Sequence, residues 1–200
     1  MALSSRWQDR NLSKIELVVA LLLISIFIGA FSFRALKIFA LAERTSVTLT
    51  ISNMNTALKY RTLMALSKND IGKLGELESF NPMRLVYSDA DTYLKTGEDL
   101  INEAKLPSKD TPTNYIGELN APDVNDITPG TWYFDRSSNL LVYRVKNTEF
   151  FYSQLNGPAR IRYSIKLEYE DANDNNKYDP EIDKFINISI VSIDKYKWDI

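Results

Sequence analysis

An acidic, asparagine-rich stretch in the C-terminal third of the chain carries side chains that could bind a metal ion. It begins at Asp171 and reads DANDNNKYD. Side-chain oxygens of Asp171, Asn173, Asn175 and Asp179, with the main-chain carbonyl of Lys177, fall at positions 1, 3, 5, 9 and 7 of an EF-type loop. Oxygen ligands at alternate positions of a tight loop suit Ca²⁺. Calcium is therefore the cofactor that the sequence suggests.

The same stretch departs from an EF-type loop at two positions. Asn176 stands where a glycine usually permits the sharp turn, although asparagine tolerates left-handed backbone angles better than most residues. The twelfth position is Ile182 instead of a bidentate glutamate, with Glu181 and Asp183 on either side. Asn and Asp also favour turns without any metal. Two interpretations stay open: a calcium site of modest affinity, and a solvated turn between strands.

A second candidate group is an acid at the start of a long apolar run. Between Ile15 and Phe33 the only charged residue is Glu16, and thirteen residues are Leu, Ile, Val or Phe. Those thirteen favour membrane insertion by about 4–8 kcal/mol, against about 3 kcal/mol for one carboxylate at the membrane centre. The sequence therefore predicts a membrane-spanning helix over residues 12–34. Ionisable groups in such helices usually have a partner, although the helix dipole alone also favours an acid here.

The residues around this acid resemble a known N-terminal signature. Asn11 to Val19 reads NLSKIELVV, which is similar to the prepilin signature of type IV pilins and type II secretion pseudopilins. Aligned on Glu16, Leu12 becomes the first mature residue and residues 1–11 resemble the leader. The resemblance implies processing by a prepilin peptidase between Asn11 and Leu12. It also implies an assembly role, in which Glu16 meets the free amine of Leu12 on a neighbouring subunit.

Two residues depart from the family pattern. Asn11 replaces the glycine that precedes the cleavage site in that family, and Lys14 places a charge where the family has an apolar residue. Without cleavage, no amine forms at Leu12. These departures keep an alternative open: a singly anchored periplasmic assembly factor or binding domain that is not cleaved and does not polymerise.

Composition argues against several functional classes. The 200-residue chain contains no cysteine and no histidine, which removes disulfides, thiol nucleophiles, histidine-dependent catalysis and the usual zinc ligand sets. The formal net charge is −2 and no basic stripe is present, so nothing favours nucleic-acid binding. The remaining carboxylates are scattered. We expect no enzymatic activity.

The elements that must position these groups predict an α+β fold. No proline occurs before Pro82, and a long N-terminal helix is predicted to continue past the membrane segment as an amphipathic half over residues 35–67. Its apolar stripe is suited to packing on a sheet and consists of Val47, Ile51, Met54 and Leu58. Residues 68–130 are expected to form an irregular connecting region with one short helix near Asp89–Lys105.

Strands are expected in the last third of the chain, residues 131–200. A turn signal over Asp135–Asn139 separates two apolar runs, and residues 161–169 alternate between apolar and polar. The isoleucines 186, 188 and 190 continue such an alternation and are expected to pack on the sheet together. We therefore expect an antiparallel sheet of about four strands, packed on the helix and forming one globular domain with residues 35–130.

Together with the resemblance, these features predict a minor pilin or pseudopilin, a membrane-anchored structural subunit of a type IV pilus or type II secretion filament. The resemblance implies three partners: other pilin-like subunits bound through the N-terminal helix, the inner-membrane assembly platform, and prepilin peptidase. It also implies a single-pass protein of the bacterial inner membrane. The C-terminal domain would then be periplasmic or incorporated in a filament.

Overall fold

The structure is a computed structural model that describes residues 14–68, 71–86 and 112–200. It consists of one long helix, α1 (Lys14–Ser67), two 3₁₀ helices (Ile71–Ser79 and Pro82–Leu85) and then the strands. The strands are β1 (Tyr115–Leu119), β2 (Trp132–Asp135), β3 (Leu140–Arg144), β4 (Phe151–Ser153), β5 (Arg160–Glu170), β6 (Lys184–Ser192) and β7 (Tyr196–Trp198). Single 3₁₀ turns occur at Val124–Asp126 and Thr148–Phe150. The helix expected near Asp89–Lys105 lies outside the described residues.

The predicted long helix is confirmed. It includes a run of β-branched residues that also alternates like a strand, Val47 to Ile51. Threonines in this part of the helix, Thr45 and Thr48 among them, donate their hydroxyls to carbonyls four residues earlier, at 2.8 and 2.9 Å. These bonds satisfy the polar atoms of the threonines within the helix, so the β-branched run does not interrupt it.

The chain forms two compact units, divided between Phe39 and Ala40. In the first unit every described side chain from Lys14 to Arg34 is exposed. By length and composition, α1 could cross a membrane once, through its N-terminal part. The second unit, Ala40–Ile200, contains the rest of α1 and all described strands.

The main sheet has the strand order β1-β2-β3-β5-β6, and β4 pairs with β7 in a separate two-stranded sheet. All neighbours are antiparallel except β1 and β2, which are parallel. The expected α+β fold is confirmed, with five strands in place of about four. The extra strand, β1, begins at Tyr115, before the 131–200 region where strands were expected. Its alternation is hidden by a register shift and by Gly117, which has φ +105°.

One face of the sheet packs against the second unit's part of α1. Val47, Met54 and Leu58 of the predicted stripe are buried and Ile51 is half-buried. The sheet contributes side chains that alternate along each strand, as a half-buried strand requires. They are Trp132, Phe134, Leu141, Tyr143, Ile161, Tyr163, Ile165, Leu167, Ile188 and Ile190.

Side chains from outside the sheet cover main-chain groups at its edges. The Asn55 side chain of α1 accepts the N–H of Ile190 on the outer strand β6 at 2.8 Å. Glu78 accepts the N–H of Leu167 at 3.0 Å, on the half of β5 that extends past β3. Covered edges are protected from pairing with other chains.

One expectation about β6 is wrong. The ladder between β5 and β6 shifts register so that Ile186 has no partner, while Asn187 pairs with Glu168 and Phe185 pairs with Tyr169. Because Ile186 is an extra residue in the strand, the alternation of side chains between the two faces of the sheet is reversed beyond it. Ile188 and Ile190 are therefore buried, whereas Ile186 is 60% exposed and does not pack with them.

Candidate functional site

The residues predicted for processing, Asn11 and Leu12, lie outside the described residues. The predicted assembly residue, Glu16, lies in the first turn of α1 and is exposed. This position suits a carboxylate, because the N-terminus of a helix carries partial positive charge. Around it the apolar side chains are open as well, with Ile15 76% and Leu17 51% exposed. Glu16 is thus at the head of an exposed apolar helix surface.

The predicted calcium ligands lie in the loop between β5 and β6. The two carboxylate oxygens of Asp171 accept main-chain N–H groups of Asn175 at 3.2 Å and Asn176 at 2.7 Å. The side-chain oxygens of Asn173 and Asn175 each accept the N–H two residues further on, at 3.1 and 2.7 Å. Asn176, at the sharp-turn position, adopts a left-handed φ of +57°. The loop therefore curls around the side chain of Asp171.

The far end of the loop is closed by a different acid. Asp183 is buried and accepts the N–H of Ala172 at 3.0 Å and the N–H of Asp179 at 2.7 Å, so that it joins the two ends of the loop. Ile182, at the twelfth position, is 53% exposed. The carboxylate of Asp179 itself accepts the N–H of Glu181 at 3.1 Å. Asp183 consequently acts as a brace for the turn.

The fit of this loop to a calcium ion depends on amide and carbonyl oxygens as well as carboxylates. Within the described residues, no three or more His, Cys, Asp or Glu side chains come together as a metal site. A carboxylate or amide oxygen that accepts one N–H keeps a second lone pair, which could bind an ion. Asp171, Asn173, Asn175 and Asp179, with the Lys177 carbonyl, are the residues that could hold it.

Sequence reasoning missed a buried carboxylate on the second part of α1. Glu43 lies one helical turn before Val47, in line with the apolar stripe, and an acid at a stripe position was the available signal. Its Oε1 accepts the Tyr143 hydroxyl at 2.9 Å and the Lys146 N–H at 2.7 Å. Its Oε2 accepts the main-chain and side-chain N–H groups of Asn147, at 2.8 and 2.7 Å. Burial, reinforced by the charge of Glu43, raises the pKa of Tyr143.

A second carboxylate that the sequence did not single out is Glu118 on β1. It accepts Arg84 Nε at 2.7 Å, Asn81 Nδ2 at 2.8 Å and Arg136 Nε at 2.8 Å. Burial disfavours its charged form, but the hydrogen bonds from Arg84, Asn81 and Arg136 outweigh burial and lower the pKa of Glu118 below its usual value. This cluster ties the second 3₁₀ helix to β1 and to the turn after β2.

The candidate residues fall into two groups: those already hydrogen-bonded within the fold, and those still exposed to a ligand or partner. Glu43, Glu118 and Asp183 use their oxygens for hydrogen bonds that hold the fold together. The apolar surface around Glu16 and the loop around Asp171 remain open to a ligand or partner. Comparisons with protein-family models, curated proteins and solved structures found no significant match.

Proposed function

We propose that the protein is a minor pilin or pseudopilin, a membrane-anchored structural subunit of a type IV pilus or type II secretion filament. The observation that carries this proposal is the single helix Lys14–Ser67, exposed and apolar in its first part and packed on a sheet in its second. The NLSKIELVV string at its start, which resembles the prepilin signature, supports the same function.

The exposed apolar surface of the first part of α1 must be buried against lipid or against another protein surface. Exposed apolar area in water is unfavourable by about 25 cal/mol per Å², and a run of this length can be buried in lipid or between helices of neighbouring subunits. An acid inside such a surface is retained most readily where it has a charged partner. In the proposed filament, the partner of Glu16 is the terminal amine of Leu12 on the adjacent subunit.

The same proposal sets the location of each unit. The N-terminal part of α1 spans the bacterial inner membrane once, and the sheet domain lies in the periplasm or in the assembled filament. Basic residues flank the span on both sides, with Lys14 before it and Arg34 and Lys37 after it, so local charge does not decide the orientation. Long domains translocate largely regardless of charge, which is compatible with a periplasmic domain.

A substitution at Glu16 tests the assembly role. Glu16→Ala should leave the protein in the membrane with its sheet domain folded, because the side chain is exposed and distant in sequence from the core. The amount recovered in sheared filaments should fall, since a partner of the Leu12 amine is removed. Arg44→Ala, an exposed substitution on the same helix, is the matched control. Equal recovery of Glu16→Ala and wild type would contradict the assembly role.

The second candidate function is the anchored assembly factor that is not processed, which Asn11 and Lys14 favour. Mass spectrometry of the N-terminus of membrane-purified protein separates the two candidates. A mature chain that begins at Leu12 supports the pilin-like subunit. An intact segment 1–11 supports the anchored factor, because no amine is then available at Leu12.

We also propose that the loop 171–179 binds calcium. Its alternate side-chain oxygens and the inward curl around Asp171 favour this, and the ion would pin the turn that joins β5 and β6. Binding to the folded state alone stabilises it by RT ln(1 + [L]/Kd), about 2.7 kcal/mol at a hundredfold excess over Kd.

Thermal unfolding of the full-length protein in neutral detergent tests the calcium proposal. The protein should melt at a higher temperature in millimolar calcium than in chelator. Asp171→Ala and Asp179→Ala should each abolish the difference, whereas Asp126→Ala, an exposed acid in another loop, should preserve it. A melting temperature that does not respond to calcium would leave the loop as a solvated turn.

A further inference from the structure

The face of the sheet that does not pack on α1 carries a group of arginines. Arg144 of β3 and Arg160 of β5 are directly opposite each other, and Arg162 is opposite Val142 in the adjacent row. Directly opposed residues of antiparallel strands project from the same face. Val142 belongs to a small apolar cluster separate from the main core, which identifies this as the outer face.

Only one of the three arginines has an acidic partner among the described residues. Arg162 forms two bonds with Asp194, both at 2.7 Å, in the forked geometry typical of an arginine–carboxylate pair. Arg144 donates from Nη1 to the carbonyl of Ala159 at 2.8 Å. Arg160 donates to the carbonyl of Pro158 at 3.0 Å, and to a second carbonyl in the same loop. Two positive charges thus face each other, with no carboxylate of the described residues between them.

One N–H group of Arg144 has no acceptor in this arrangement. Nε of Arg144 is buried and has no hydrogen-bond partner. Burial and the positive charge of Arg160 also lower the pKa of Arg144. Like charges directly opposite each other destabilise a sheet, and an unpaired buried donor is unfavourable as well. An anion between the two side chains would remove both penalties.

Two acids next to this face, among the residues that the structure describes, are already engaged. Asp194 is held by Arg162, as described above. Asp135, on the same face of β2, accepts hydrogen bonds from the hydroxyls of Ser137 and Ser138, both at 2.7 Å. Neither of these two described acids is therefore available to the arginine pair.

We propose that Arg144 and Arg160 form a binding site for one oxyanion group, a carboxylate or a phosphate, carried by a partner of this protein. The guanidinium group presents parallel N–H donors that match such a group. The carbonyls of the loop between β4 and β5 hold one nitrogen of each guanidinium, so both side chains are oriented before the anion arrives. This site does not depend on the filament function proposed above.

Nuclear magnetic resonance of the arginine Nε–H groups tests the site in the full-length protein in neutral detergent. Sodium phosphate and sodium acetate are titrated separately, each against sodium chloride at equal ionic strength. The Arg144 Nε–H signal should shift and saturate with at least one of them. Saturation with phosphate alone indicates a phosphate-bearing partner, and saturation with acetate indicates a carboxylate-bearing one. A signal that responds to neither anion, or only as it does to chloride, overturns the proposal.

Matched variants locate the effect. Arg160→Gln removes one charged donor and should weaken anion binding at least about tenfold, because a charge-assisted hydrogen bond contributes more than the energy of one factor of ten. Arg136→Gln makes the same charge change at a 61% exposed residue that pairs with Glu118, and it should leave the titration unchanged. Equal weakening by both variants would also overturn the proposal. The wild-type titration decides the question even where a variant does not fold.

Discussion

Replacement of Glu43 by alanine should destabilise the folded domain more than any exposed substitution on the same helix. The carboxylate is buried and accepts four hydrogen bonds, which come from Tyr143, Lys146 and Asn147. These three residues are 100, 103 and 104 positions after Glu43 in the sequence. Glu43 therefore anchors α1 to the end of β3 through four hydrogen bonds.

The loss of unfolding free energy depends on whether each donor finds another acceptor once the Glu43 carboxylate is removed. The Tyr143 hydroxyl becomes a buried donor without an acceptor, at a cost of about 1–3 kcal/mol. The main-chain N–H groups of Lys146 and Asn147 and the side-chain N–H of Asn147 are only partly buried, so water replaces the carboxylate there and each loses about 0.5–1.5 kcal/mol. The total is about 2.5–7.5 kcal/mol. At about 2–4 °C per kcal/mol for a chain of this size, the melting temperature should fall by at least about 5 °C.

Thermal unfolding of the full-length protein in neutral detergent, followed by tryptophan fluorescence, measures this change. The Trp132 ring lies 4.7 Å from the Tyr143 ring, so the Trp132 contribution to the fluorescence reports on the region next to Glu43. Arg44→Ala is the control, because Arg44 is the next residue on α1 and is exposed. A double-mutant cycle with Tyr143→Phe should give a coupling energy of at least about 0.5 kcal/mol. Equal melting temperatures for Glu43→Ala and Arg44→Ala, with no coupling, would refute the anchoring role.

Two further outcomes are expected. Because the pKa of Glu118 in the folded protein lies below its ordinary value of 4.5, its stabilisation is complete above that pH and is lost as the pH falls through the lowered pKa. The wild-type melting temperature should therefore fall more steeply than that of Glu118→Gln from about pH 5 to about pH 3, and parallel curves would contradict this. In β6, Ile188→Ala should cost about 2–5 kcal/mol, whereas Ile186→Ala should change the unfolding free energy by no more than about 0.5 kcal/mol. Equal costs in denaturant unfolding would contradict the bulge at Ile186.

The features that the sequence determined are those with a local signal along the chain. The run after Glu16 is recognised by its length and its continuous apolar composition, and the stripe that includes Met54 and Leu58 by the period of a helix; both lie in α1 as expected. The alternation from Ile161 to Tyr169 has the period of a strand, and it forms most of β5. In each case a few neighbouring residues decide the conformation, because the pattern matches the geometry of one element.

The features that only the tertiary structure decided join residues far apart in the chain. β1 is a strand because it pairs in parallel with β2 across an intervening loop, and Gly117 interrupts the pattern that would have revealed it. Glu43 lies in an apolar stripe, and nothing near it in sequence indicates that its hydrogen-bond donors are at the end of β3. The opposition of Arg144 and Arg160 likewise depends on the register between two strands. Such pairings leave no local period, since their energies arise only when the folded chain brings both partners together.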